Sequence, residues 1–211
     1  MSSLESNVHV YLGAARMLEN LLHDVDADML DKPGLGQWSV RDLIGHASRA
    51  LLTVEHYLNQ AEPDEADQLT PGGYYYVGRT RVDSELIAQR GVDAGRDLGD
   101  DPVAFVADVV GRVEAKLYEV LDHEPRHDPL VPTIAGGMRL SAYLPTRTLE
   151  LVVHSLDLAR ALDLHPEVPA DAMRQTLGVL ADLAVLDGSA GDLVLAVTGR
   201  QPMPDNYVLL R

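Results

Sequence analysis

The segment Leu149-Glu150-Leu151-Val152-Val153-His154-Ser155-Leu156-Asp157-Leu158-Ala159-Arg160-Ala161-Leu162 constrains the fold more than any other stretch of the chain. It reads as a strongly apolar helix whose hydrophobes leave little solvent-facing arc. Glu150, His154 and Asp157 nevertheless sit among them. Residues four apart project from nearly the same helix face, so Glu150 and His154 are neighbours. Burying such groups without partners is costly. A cation held between a carboxylate oxygen and an imidazole nitrogen would satisfy both.

A Glu-x3-His pair alone arises by chance on surface helices, so a third donor matters. His46 supplies it, on a second apolar helix, as Leu43-Ile44-Gly45-His46-Ala47. Two helices of a bundle can thus bring three ligands to one interior point. His46, Glu150 and His154 make a two-histidine, one-carboxylate set with an open position, the pattern of a catalytic zinc site that nickel or iron(II) would also accept. Asp157 is placed to orient His154 from behind, or else to pair with Arg160 or Arg41. His9, His23, His56, His123, His127 and His165 fall on other helices, at helix ends or in loops, and are poorer candidates. The chain has no cysteine, so it offers no disulfide, thiolate nucleophile or thiolate ligand.

Periodicity predicts a first helix from about Ser6 to Leu30, then a break at Asp31-Lys32-Pro33-Gly34-Leu35-Gly36. Ser39, with Asp42 three positions on, opens a second helix that ends near Gln60. The stretch from Ala61 to Thr80, with Gly72-Gly73-Tyr74-Tyr75-Tyr76, reads as a surface loop that could line a pocket rim. Helical pattern resumes from Val82 to Arg96 and again after Pro102, which suits a first helical turn. Val131–Ile134 and Met138–Leu140 form a short hairpin, followed by the key helix to about Leu164 and another after Pro169. Leu193–Thr198 and Tyr207–Leu210 look strand-like. The expectation is a mainly α, antiparallel four-helix bundle over residues 1–165, with a helix and short β tail over 166–211.

The formal net charge of −16 disfavours nucleic acid and anionic membranes as partners. No apolar run approaches the roughly 20 residues that span a bilayer, and Met1–Val10 lacks a signal-peptide pattern. A cytoplasmic protein, monomer or homodimer, is expected. There is no Gly-x-Ser-x-Gly, phosphate loop or dinucleotide fingerprint.

Trp38-Ser39-Val40-Arg41-Asp42-Leu43-Ile44-Gly45-His46, together with Arg147-Thr148 and the Leu149–Leu162 segment, resembles the mycothiol-dependent maleylpyruvate isomerase family, within the DinB-like metal-dependent bundle superfamily. The likeness extends in order through the Asp101-Pro102 helix, the Gly136-Gly137 turn and Leu195–Arg200. It implies a divalent metal, usually zinc, on His46, Glu150 and His154, and mycothiol, the low-molecular-weight thiol of actinobacteria, as cosubstrate. The missing cysteine fits a sulfur that arrives with another molecule. In such a mechanism the metal lowers the pKa of the thiol, which then attacks an electrophilic small molecule. Addition, rotation and elimination make an isomerase; retention of sulfur makes an S-transferase. Arg79, Arg81 and Arg200 are candidate grips for a carboxylated substrate. The isomerase relatives carry a longer C-terminal domain with a substrate-binding arginine, whereas a short tail stands here, so a substrate other than maleylpyruvate is expected. A metal-dependent hydrolase and a non-catalytic binding protein on the same bundle are the alternatives.

Overall fold

The computed structural model describes residues 3–79, 84–203, 205 and 207–210, with 84–88 by backbone alone. In chain order the helices are α1 (Ser3–Leu22), α2 (Val40–Leu58), α3 (Pro71–Gly78), α4 (Ser84–Asp97) and α5 (Pro102–Asp122). A hairpin, β1 (Leu130–Thr133) and β2 (Gly136–Arg139), precedes α6 (Leu140–Leu162), α7 (Ala170–Asp187) and α8 (Ala190–Val197). Helices α1, α6, α2 and α5 each pack on two of the others and close a four-helix bundle. Its core includes Leu18, Leu22, Leu43, Leu51, Val113, Leu117 and Leu144, all essentially inaccessible. Among the described residues, no helix is long and apolar enough to cross a membrane.

Helix α6 has the most crowded surroundings, touching α1, α2, α3 and α7. That explains a segment apolar on nearly every side: its polar side chains must face protein or a cavity. Pro145 lies inside α6 and cannot donate to the Ser141 carbonyl four residues back. The Asn7 amide of α1 donates to that carbonyl instead, at 2.7 Å. Local signals set the entry of α2: Ser39 Oγ accepts from the Asp42 amide at 3.2 Å, and Asp42 Oδ2 accepts from the Ser39 amide at 3.0 Å. This reciprocal cap fixes the first turn of the helix that carries His46.

Helix α4 lies against α2 at a crossing that only glycine permits. A Cβ on Gly45 would stand 2.3 Å from the Gly95 backbone nitrogen, and one on Gly91 would stand 2.5 Å from the Trp38 ring. The close approach brings α4 down onto Trp38, beside His46.

The hairpin has the expected place, with Leu130 opposite Arg139 and Thr133 opposite Gly136. Four segments differ from expectation. The first helix ends at Leu22, and residues up to Leu30 contain a short 3-10 turn at Ala27–Met29. Pro71–Gly78 is helical, not a loop: Thr70 Oγ1 accepts from the Gly73 amide at 3.1 Å, Pro71 suits the first turn, and Asp182 of α7 accepts from the Gly72 amide at 3.0 Å. Leu193–Thr198, expected as a strand, falls in and just after α8, and the described residues of 207–210 form no ladder. An apolar run without alternation has no period to separate strand from helix. The only β element among the described residues is the 130–139 hairpin.

Candidate metal centre

One face of α2 and one face of α6 meet at three side chains. His46, Glu150 and His154 each offer a ligand atom, and these atoms lie within 4.8 Å of one another. The His46 and His154 rings meet edge to face at 4.7 Å, and the Trp38 ring lies tilted against His46 at 4.5 Å. The interior position of α6 buries His154 to 9% exposure.

Every member of the cluster has a defined electrostatic role. His154 Nε2 lies 3.1 Å from Glu150 Oε2, and its Nδ1 lies 3.2 Å from Asp157 Oδ2. Burial alone would depress the His154 pKa, but its hydrogen bonds to Asp157 and Glu150 outweigh this and lift it to about 9. Burial would raise the Glu150 carboxyl, yet the His154 hydrogen bond, the Arg147 charge and the Tyr75 hydroxyl hold it at about 2. The Tyr75 hydroxyl stands 2.7 Å from Glu150 Oε1. Burial, then the neighbouring His154 charge, pulls His46 down to about 4. His46 is therefore neutral near pH 7, with a lone pair to give.

The donor set fits a divalent cation. His46 Nδ1 is buried with no hydrogen-bond partner among the described residues, a costly state for an imidazole nitrogen beside a carboxylate. The Asp157–His154 contact is the carboxylate–histidine arrangement that fixes a ligand's tautomer. No pairing of Asp157 with Arg160 or Arg41 occurs among the described residues; Arg41 donates to the Gly99 carbonyl at 2.7 Å.

The cluster opens onto a cavity of about 450 Å³. Its wall includes Trp38, Tyr57, Tyr74, Tyr75 and Tyr143 together with Arg49, Arg79, Arg90 and Arg147. Four guanidinium groups line a cavity in a chain of net charge −16. Burial, followed by the charges of Arg90 and Arg147, lowers the pKa of Arg49 from its ordinary value. Arg147 is 8% exposed, lies 3.9 Å from Glu150 Oε1, and has the Tyr74 and Tyr143 rings at 5.2 and 5.1 Å.

Of Arg79 and Arg200, the two described arginines singled out from sequence, Arg79 lines this cavity, and it is committed to Asp187 of α7 at 2.6 Å. Arg200 does not line it and donates to the Thr198 carbonyl within its own turn. Arg81 lies outside the described residues. Sequence reasoning missed Arg49 and Arg147, although a signal was there: each lies three residues from a candidate ligand, His46 or Glu150, on the same helix face.

No curated protein and no solved structure matches the chain. The family model described as the mycothiol maleylpyruvate isomerase N-terminal domain matches residues 11–159, a span that contains all three candidate ligands and most of the bundle. The chain belongs to that family.

Proposed function

We propose that the chain is a divalent-metal-dependent enzyme that uses a low-molecular-weight thiol of the mycothiol type on an electrophilic small molecule. The observation that carries this reading is a set of three donors, His46, Glu150 and His154, in the wall of a ligand-sized cavity. An open position beside a cavity suits catalysis, whereas a structural site is closed by a fourth protein ligand. When bound, a divalent cation would act as a Lewis acid and lower the pKa of a coordinated thiol. Asp157 holds the His154 ring in place, and Tyr75 and Arg147 hold Glu150 as a carboxylate. Arg49 and Arg90 present positive charge to the electrophile. The absence of cysteine from the chain leaves sulfur to the cosubstrate. Addition of that sulfur to a carbon–carbon double bond conjugated with a carbonyl moves the π pair toward the carbonyl oxygen. Rotation and elimination then return the thiolate and give isomerisation; retention of the C–S bond, with the proton lost by the thiol returned to the α-carbon through solvent, gives transfer.

Turnover of maleylpyruvate-like and other electrophiles by the metal-loaded protein, with and without mycothiol, tests the reading. Thiol-stimulated turnover that disappears on chelation is expected; equal turnover without thiol overturns the thiol role and favours water as the nucleophile.

The acid–base state of the cluster predicts how metal binding depends on pH. Without metal, His154 carries a proton below about pH 9, Glu150 is ionised above about pH 2, and His46 is neutral above about pH 4. Binding between pH 5 and 8 must therefore displace about one proton, so affinity should rise roughly tenfold per pH unit. Cobalt(II) titrations across that range, with proton release measured in two buffers, check this. A pH-independent affinity would remove His154 from the ligand set.

A further inference from the structure

The wall of the metal cavity is not built by the bundle alone. Leu209 and Leu210 line it, although they lie some fifty residues beyond the end of the family match at residue 159. Both are half-buried, whereas Val208 between them and Tyr207 is 52% exposed. The tail is tethered, because the Tyr207 hydroxyl lies 3.1 Å from Ser189 Oγ at the junction of α7 and α8. The Arg79–Asp187 ion pair joins α3 to the same end of α7. Residues 207–210 thus arrive at the cavity from a fixed point.

Two other cavity-lining hydrophobes, Leu35 and Ile134, are each 43% exposed and so stand at the mouth. Leu35 comes from the turn before α2 and Ile134 from the hairpin tip. Three segments outside the bundle helices therefore bring aliphatic side chains to a cavity that the bundle lines with arginines, the donor cluster and the apolar Ala50, Leu149 and Val153. Aliphatic surface left at a cavity mouth gains free energy when a nonpolar ligand surface covers it.

We propose that residues 207–210 form a specificity strap, in which Leu209 and Leu210 select ligands that carry a nonpolar flank beside a polar or anionic reacting end. The proposal rests on reading this cavity as the ligand site, and it narrows the substrate to an amphiphilic class. The selecting residues belong to this chain's own tail, outside the matched family segment.

Trp38 is the sole tryptophan and lines the same cavity, so its emission reports on occupancy. The test uses the whole 211-residue chain, free of metal, and 8-anilinonaphthalene-1-sulfonate, a nonpolar anion, with binding followed by quenching of Trp38. A Leu209→Ser/Leu210→Ser variant should bind the probe about tenfold more weakly, the expected loss for two half-buried leucine side chains. A Val208→Ser variant, altered on the outward side of the strap, should bind as the parent does. Equal probe affinity in parent and double variant, or no binding to the parent, overturns the proposal. A second arm measures straight-chain alkanethiols of increasing length on the cobalt-loaded protein. Affinity should climb by up to about fourfold per methylene in the parent and more shallowly in the double variant; the same slope in both overturns the strap. Failure of cobalt to bind would remove the metal reading, while the probe titration would still decide the strap.

Discussion

A Glu150→Gln variant should bind divalent metal at least ~100-fold more weakly than the parent protein. Groups that merely orient a ligand cost about 10–100-fold when altered, and Glu150 stands in the donor set itself. The amide removes the negative charge and leaves a poorer donor. It keeps the shape, and the Tyr75 hydroxyl, 2.7 Å from Oε1, can still donate to an amide oxygen. The fold should therefore survive, which circular dichroism would show. Asp157→Asn supplies the graded comparison, because Asp157 meets His154 at its far nitrogen, 3.2 Å away. It should lose about tenfold. Competition against a chromophoric chelator at fixed pH reads both values. Parent-like affinity in Glu150→Gln would remove that residue from the ligand set, and a larger loss in Asp157→Asn would reverse the roles.

The parts of this site that were legible in sequence are those set by local periodicity. Glu150 and His154 share a face by helical spacing, and His46 stood out as a polar group within an apolar helix. Ser39 and Asp42 announced the start of α2, and the cap is present. What stayed hidden depends on distant chain. The helicity of Pro71–Gly78 rests on Asp182, 110 residues away, meeting the Gly72 amide, so a glycine-rich stretch resembled a loop. With that helix unseen, Tyr74 and Tyr75 had no stated place against α6, and Arg147 had no visible reason to be buried. Arg200 is a candidate grip in sequence through its residue type and the Leu195–Arg200 likeness, but it follows α8 and does not line the cavity. Leu209 and Leu210 give no sequence signal, because a pair of leucines near a cavity is a property of the chain's path.

The buried arginine carries the second large effect. Arg147→Met should destabilise the metal-free protein by about 3 kcal/mol, the lower end of what removing one partner of a buried ion pair costs. The lower end applies because protonated His154 still faces Glu150 at 3.1 Å. Methionine fills much of the volume between Tyr74 and Tyr143, so the loss reports charge more than a void. Arg147→Lys should be intermediate: a compact ammonium keeps the charge but loses the planar guanidinium that donates to Thr146 Oγ1 and the Tyr74 hydroxyl near both rings. The decisive comparison is the double variant Arg147→Met/Glu150→Gln. With the carboxylate neutralised, the arginine has no buried charge to balance, so the pair of substitutions should cost at least ~1 kcal/mol less than the sum of the singles. Saturating divalent metal should also shrink the Arg147→Met penalty, since a cation on Glu150 replaces the missing countercharge. Urea unfolding of the parent, the three single variants and the double variant, with and without metal, measures each term. Strict additivity, or a single-variant loss well below 1 kcal/mol, would mean that Arg147 serves packing alone and that Glu150 keeps its charge by other means.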